Sequence, residues 1–179
     1  MLHGEHVTLR PVRVEDLHAL YANLLDPETW ISGSDKPLWP MPFSVYEKMY
    51  STSVGDDMAE FAVEVGGTLI GRGGLFEIDH VSRNASIGLS LCAASRGQGF
   101  GRDVVRVLLD YGFQKRNLHR IYLEALARNI AGLRAYAASG FVEEGRLRDS
   151  AYLYGGFEDL VVMGVLRSDW LDSRLGSER

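Results

Sequence analysis

Six residues, Arg96-Gly97-Gln98-Gly99-Phe100-Gly101, restrict what this chain can fold into because of what flanks them. Before them, Ala85-Ser86-Ile87-Gly88-Leu89-Ser90-Leu91 alternates small or polar with apolar residues, the pattern of a strand. After them, Val104, Val105, Leu108, Leu109 and Phe113 share one face of a helix that the sequence carries to about Asn117. A strand that enters a helix through a glycine loop aims several backbone N–H groups at one point. The first turn of the helix adds unsatisfied donors and the positive end of its dipole. Glycines let an anion's oxygens approach the main chain without meeting a Cβ. The arrangement therefore predicts an anion site, with Arg96 and Arg102 adding charge. By themselves the six residues read equally well as a plain glycine-rich turn with a helix cap.

Two known phosphate loops can be tested against the text. A Walker-type loop requires Gly-Lys-Ser/Thr, which occurs nowhere in the chain. A dinucleotide fingerprint requires Gly-x-Gly-x-x-Gly, but the third slot holds Arg102 when counted from Gly97 and Val104 when counted from Gly99. Glu124, roughly 20 residues further on, imitates the ribose-binding acid of that fold and keeps it as a competitor.

The rest of the chain supplies the frame. His6 to Arg10 reads as a strand and Val14 to Tyr21 as a helix, so the order opens strand, then helix. From Asp26 to about Pro42 the text is rich in Pro, Gly, Ser and Trp, an irregular segment or short helices anchored by Trp30 and Trp39. Phe61 to Val65, Gly66-Gly67 and Thr68 to Gly71 form a hairpin, since Gly-Gly tolerates a tight two-residue turn. Ile121 to Ala125 is a strand, Ile130 to Ala138 a short helix, Gly140-Phe141-Val142 the start of another strand, and Asp159 to Leu166 the last. Strands and helices alternate in the middle, with hairpins at both ends. The fold class is α/β in the α+β sense: one domain over residues 1–179, with a mixed, mostly antiparallel sheet flanked by helices.

Composition removes several function classes. Nineteen Lys and Arg stand against 24 Asp and Glu, so the basic excess of a nucleic-acid binder is missing and a cationic substrate suits the balance. No apolar run reaches the roughly 20 residues that cross a bilayer. The N-terminus lacks a signal-peptide pattern, and Cys92, the single cysteine, has no internal disulfide partner, so the expected compartment is the cytoplasm. The five histidines show no ligand-like spacing with one another or with Cys92, and no metal is expected.

Arg96, Gly99 and Gly101 occupy the defining places of an Arg/Gln-x-x-Gly-x-Gly/Ala signature, and by it the chain resembles the GNAT superfamily of acyl-CoA-dependent N-acyltransferases. A second block is similar to that superfamily's Asn...Leu-Tyr-Glu-Lys-x-Gly-Phe segment through Asn129, Tyr136 and Gly140-Phe141. Ala135, Ala137 and Ala138 replace its usual leucine, glutamate and lysine. Gly140 to Arg148 and Glu158 to Met163 look like the branch containing RimJ and RimL, which acetylate protein N-termini, and polyamine and small-amine acetyltransferases. The resemblance covers roughly residues 6–170.

It implies a GNAT fold and acetyl transfer from acetyl-CoA to a primary amine in a ternary complex. The acceptor is a peptide N-terminus, a polyamine or another small amine. Leu89, Ser90 and Leu91 would pair with the pantetheine arm, and Arg96, Gly97, Gln98, Gly99, Phe100, Gly101 and Arg102 would take the pyrophosphate. Asn129 would contact the coenzyme near its reactive end. Tyr136 would stand at the thioester sulfur, where a phenol can donate to the leaving thiolate; without the family spacing it is an ordinary helix residue.

The general base is open. Glu124 lies five residues before the matched asparagine, where ribosomal-protein acetyltransferases of the superfamily carry a catalytic glutamate; it is equally a structural acid paired with Arg120 or Arg128. Glu77, Asp79 and His80 could act through water instead, and Cys92 has no identifiable histidine to make it a nucleophile. Asp26, Glu28, Asp35, Asp56 and Asp57 flank the first third, where this branch builds its acceptor pocket, and either select a charged amine or form a solvated surface. A homodimer through terminal strands or the Trp-bearing segment fits the branch. A non-catalytic acyl-CoA sensor is the rival reading.

Overall fold

The computed structural model describes residues 1–27, 29, 41–52 and 55–177. The reading of Trp30 and Trp39 as anchors, and of Glu28 and Asp35 as acceptor-side acids, lies outside the described residues. The chain opens with Leu2–His3 (β1) and Thr8–Pro11 (β2). A single 3-10 turn at Val14–Asp16 then leads into α1, Leu17–Leu25, and α2 spans Phe43–Thr52. Three strands follow, Ala59–Val65 (β3), Thr68–Asp79 (β4) and Asn84–Leu91 (β5), and after the glycine loop comes α3, Phe100–Asp110. The second half holds Arg120–Leu126 (β6), Ile130–Ala137 (α4), Val142–Leu153 (β7), Gly156–Leu166 (β8) and Arg167–Ser177 (α5).

The eight strands form one sheet in the order β1-β2-β3-β4-β5-β6-β8-β7. Every pair is antiparallel except β5 and β6, which are joined through α3 and run parallel. The expected mixed, mostly antiparallel sheet with flanking helices is the sheet observed. The Gly66-Gly67 hairpin is also present, although β4 continues to Asp79.

Alternation sorts the two faces. Leu75, Ile87 and Ile121 bury themselves with Val104, Leu108 and Phe113 of the α3 region, each 5% exposed or less. Each such side chain contributes about 1.5–3 kcal/mol through loss of apolar contact with water. Trp170 of α5 closes this layer, its ring 5.3 Å from that of Phe113. The opposite face carries α1 and α2, whose Leu17, Leu20 and Tyr46 form a separate apolar cluster. Beneath them, buried Arg10 holds Asp16 through both terminal guanidinium nitrogens, at 2.6 and 2.8 Å, and Glu64 through Nε at 2.7 Å. The Arg10 guanidinium holds the Asp16 carboxyl below the usual carboxylate range.

Candidate active site

The two parallel strands are paired only at their starts. Asn84, Ala85 and Ser86 face Arg120, Ile121 and Tyr122, and no pairing continues beyond them. From there β5 stays bonded to β4, and β6 stays bonded to β8. The sheet therefore opens as a wedge whose β5 edge carries backbone groups free to meet an extended ligand.

A cavity of about 710 Å³ runs along the end of β5 that β6 has left, between the loop and α4. Leu89, Ser90 and Leu91 line it from β5; Arg96, Gly97, Gly99, Gly101 and Arg102 line it from the loop and the start of α3; Asn129 and Tyr136 line it from the α4 side. The structure thus brings together most of the coenzyme-binding residues expected from the sequence. Gln98 and Phe100 do not line the cavity. The Gln98 amide donates to the Ala94 carbonyl at 2.8 Å, and the Phe100 ring packs on the core, edge-on to His6.

Glycine is required in the loop mainly for its backbone. Gly97 and Gly99 have φ of 74° and 86°, in the left-handed region, with open space where a Cβ would stand. At Gly101 a Cβ would touch only Leu89 and Leu91 methyls at 3.8 Å, so the missing side chain leaves room in the cavity rather than in the protein's own packing. The Gly99 carbonyl accepts from the Arg102 and Asp103 amides. The N–H groups of residues 97–101 have no acceptor among the described residues. Five such donors at the positive end of an eleven-residue helix are suited to an anion.

The two flanking arginines differ. Arg102 is exposed on the cavity wall and has no hydrogen-bond or ion-pair partner among the described residues. The Arg96 guanidinium is engaged: Nε donates to the Leu91 carbonyl at 3.0 Å, and Nη2 donates to Thr29 Oγ1 at 2.5 Å and lies 3.7 Å from the Asp26 carboxylate.

Asp103 was not anticipated as part of this architecture. Its buried carboxylate, one turn into α3, accepts the backbone N–H groups of Glu5, His6 and Val7 at 3.1, 2.7 and 3.0 Å. Burial alone would raise its pKa, but the three donors outweigh burial and hold it below the ordinary range. The β1–β2 turn is thereby fixed to the helix that carries the loop. An acid in the first turn of a predicted helix was the available signal, but its partners lie nearly a hundred residues away.

On the other wall, Asn129 caps α4: its Oδ1 accepts the Gly132 amide at 3.0 Å. Ala131, Gly132, Ala135 and Tyr136 then face the cavity from α4, so the alanine in place of the usual leucine leaves open volume. The Tyr136 ring stands edge-on to buried Phe141, centroids 5.6 Å apart, and Phe141 in turn donates its N–H to the Tyr136 carbonyl. The Tyr136 hydroxyl has no hydrogen-bond partner among the described residues. Burial pushes its pKa up to about 12, so it carries its proton throughout the neutral range.

Glu124 sits exposed on β6 and does not line the cavity. Arg120 pairs with Glu144 and Arg128 pairs with Glu158, so neither makes the expected ion pair with Glu124. Its neighbour Tyr122 donates to Glu77 at 3.0 Å, on the face of the sheet where Arg120 lies over the Tyr122 ring. Asp79 is committed to its own turn, accepting the Val81 and Ser82 amides, and the His80 ring lies 3.1 Å from an Asp56 carboxylate oxygen. Cys92 is half-buried, and burial raises its thiol pKa, opposite to what a nucleophilic thiolate needs. Among the described residues no three metal-ligating side chains gather at one point, and no helix is long and apolar enough to cross a membrane.

Residues 6–142 match the family model described as acetyltransferase (GNAT) domain. The spermidine N(1)-acetyltransferase of Vibrio cholerae is 33% identical over 132 residues, 73% of this chain and 76% of that protein. The candidate ribosomal N-acetyltransferase YdaF of Bacillus subtilis is 27% identical over 179 residues, covering 93% of this chain and 94% of its own. The solved structure of spermidine N-acetyltransferase from Vibrio cholerae in complex with CoA and spermine superposes with a TM-score of 0.87 at 29% identity, covering 93% of this chain and 98% of that one. The chain thus belongs to the GNAT acetyltransferase family and is an acetyl-CoA-dependent N-acetyltransferase.

Proposed function

We propose that this enzyme acetylates a polyamine, with acetyl-CoA lying along the wedge. The supporting observation is that one cavity joins the amides of residues 97–101 to the hydroxyl of Tyr136, all without partners among the described residues. In this reading the loop amides and Arg102 take the coenzyme's pyrophosphate. The edge of Leu89, Ser90 and Leu91 that β6 leaves uncovered receives the pantetheine arm, and the thioester reaches Tyr136 past Asn129. A polycation suits the net charge of −5 and the likeness to spermidine acetyltransferases.

The neutral amine attacks the thioester carbonyl and forms a C–N bond, giving a tetrahedral oxyanion. Glu124, on β6 outside the cavity and acting through water, is the proposed base that removes the ammonium proton; Glu77, held by Tyr122, is the neighbouring carboxylate. Collapse breaks the C–S bond as Tyr136 donates to the sulfur. A phenol near 12 is a weaker acid than a thiol near 8.5, so the donation is a hydrogen bond that steadies the departing thiolate rather than a completed proton transfer.

The likeness to YdaF supports a second acceptor, a ribosomal-protein N-terminus, as in the RimJ and RimL branch. We also infer a homodimer through the β7–β8 hairpin, whose β7 is a sheet edge and whose Tyr152, Tyr154 and Phe157 are 57–66% exposed. The test of function is thiol release from acetyl-CoA with spermidine, spermine, N-terminal peptides and aminoglycosides. Turnover on the polyamines supports the proposal, and turnover only on peptides replaces the acceptor. Binding of acetyl-CoA with no turnover on any amine reduces the protein to a coenzyme-binding module.

A further inference from the structure

Arg96 belongs to the glycine loop in sequence, but its side chain leads elsewhere. Asn23, buried at 7% exposure on α1, donates through Nδ2 to Ser90 Oγ at 3.0 Å, and its Oδ1 lies 3.2 Å from the Thr29 hydroxyl. Thr29 Oγ1 is also 3.0 Å from Asp26 Oδ2 and accepts from Arg96 Nη2. Arg96 Nε returns to the Leu91 carbonyl, next to Ser90. The contacts close a ring: Ser90, Asn23, Thr29, Arg96, Leu91. It ties the end of β5 and the loop to the chain leaving α1, across 67 residues of sequence. Leu24 in the last turn of α1 and Thr29 beyond it line the same cavity as the loop.

We propose that Arg96 is a positioning residue, which couples the coenzyme loop to the segment leaving α1 instead of serving as a direct ligand of the diphosphate; this rests on the reading that residues 97–101 hold the coenzyme. A planar guanidinium reaches a carbonyl and a hydroxyl from one fixed fork, which a lysine's single ammonium does not. A diphosphate seated on the loop amides fixes Gly97 and thereby Arg96. Arg96 then holds Thr29, and Thr29 holds Asn23. The acceptor-side wall is set when the coenzyme is in place, and by reciprocity an acceptor resting on that wall tightens the coenzyme by the same factor. The scheme favours coenzyme binding before the amine.

CoA is the probe. Its Kd is measured by calorimetry, and hydrogen exchange of residues 23–29 is followed with and without it. In the wild type, CoA is expected to slow exchange in that segment by about fivefold or more. In Arg96→Met the protection is lost while the CoA Kd measured without acceptor stays within about threefold, and the acceptor KM at saturating acetyl-CoA rises about tenfold. Thr29→Val reproduces this pattern, and the double variant adds nothing to either single one. Arg96→Lys keeps the charge and is expected to lose the protection as well. The proposal is overturned if Arg96→Met weakens CoA about tenfold or more, as a phosphate ligand would, or if protection of 23–29 survives intact. Failure of the wild type to bind CoA overturns the underlying coenzyme reading itself, a distinct result.

Discussion

In the proposed mechanism Tyr136 bears the chemistry most directly, and its surroundings define what it can do. A phenol pushed up to about 12 by burial is protonated below that pH, so it acts as a donor and contributes no titration between pH 6 and 10. Tyr136→Phe is expected to lower kcat by about 10²-fold or more with little change in the acetyl-CoA KM, measured by thiol release. For the wild type, kcat/KM should rise with pH as the amine and its base lose protons, with no fall attributable to Tyr136 below pH 10. Tyr136→Phe should lower that profile without moving its midpoint; a midpoint that moves would mean the phenol itself titrates. The residue was legible in the sequence because its spacing to Asn129 and Gly140-Phe141 is local, and helix capping and the Phe141 contact are local too. Arg96 was legible only by position, since its partners Thr29 and Asp26 lie across the fold.

At the scale of elements, the strand, glycine loop and helix that the alternation and periodicity predict are all present, because each follows from patterns within about 30 residues. The helices α2 and α5 had no such signal: their faces are mixed, and their partners are distant, such as the Phe113 ring against Trp170. The same limit hid the carboxylate that pins the loop's helix. Asp103→Asn is expected to cost about 2–3 kcal/mol, since three backbone donors lose a charged acceptor, lowering Tm by roughly 5–10 °C. The sign with pH follows from the depressed pKa of Asp103. Its stabilisation is present above the unfolded value near 3.8 and lost as pH falls through the lower folded value, so the two proteins should converge in stability only in acid. Gly101→Val tests the opposite property. The Cβ position is open to the protein, so Tm should hold while CoA binding weakens by about tenfold.

Across the whole molecule, one break in strand pairing explains where the candidate site sits. The sheet stops pairing after Ser86 and Tyr122, and the wedge that follows collects the loop on one wall and α4 on the other. The sequence shows both walls, but the parting of β5 from β6 is a property of the pairing and leaves no local mark. The α1 side of the cavity is less legible still, since Asn23 of α1 reaches Ser90 of β5, and Arg72 of β4, on the cavity wall, donates to Glu60 of β3 and Tyr50 of α2. At the far edge, the inferred dimer has a plain check: light scattering should give twice the 19.9 kDa chain mass, and Phe157→Lys should return it to one. The most direct test of the central reading is a crystal structure with CoA bound. The pyrophosphate is expected on the amides of residues 97–101, the pantetheine along Leu89 to Leu91, and the sulfur within hydrogen-bond reach of the Tyr136 hydroxyl. CoA bound outside the wedge, or a sulfur far from Tyr136, would contradict it.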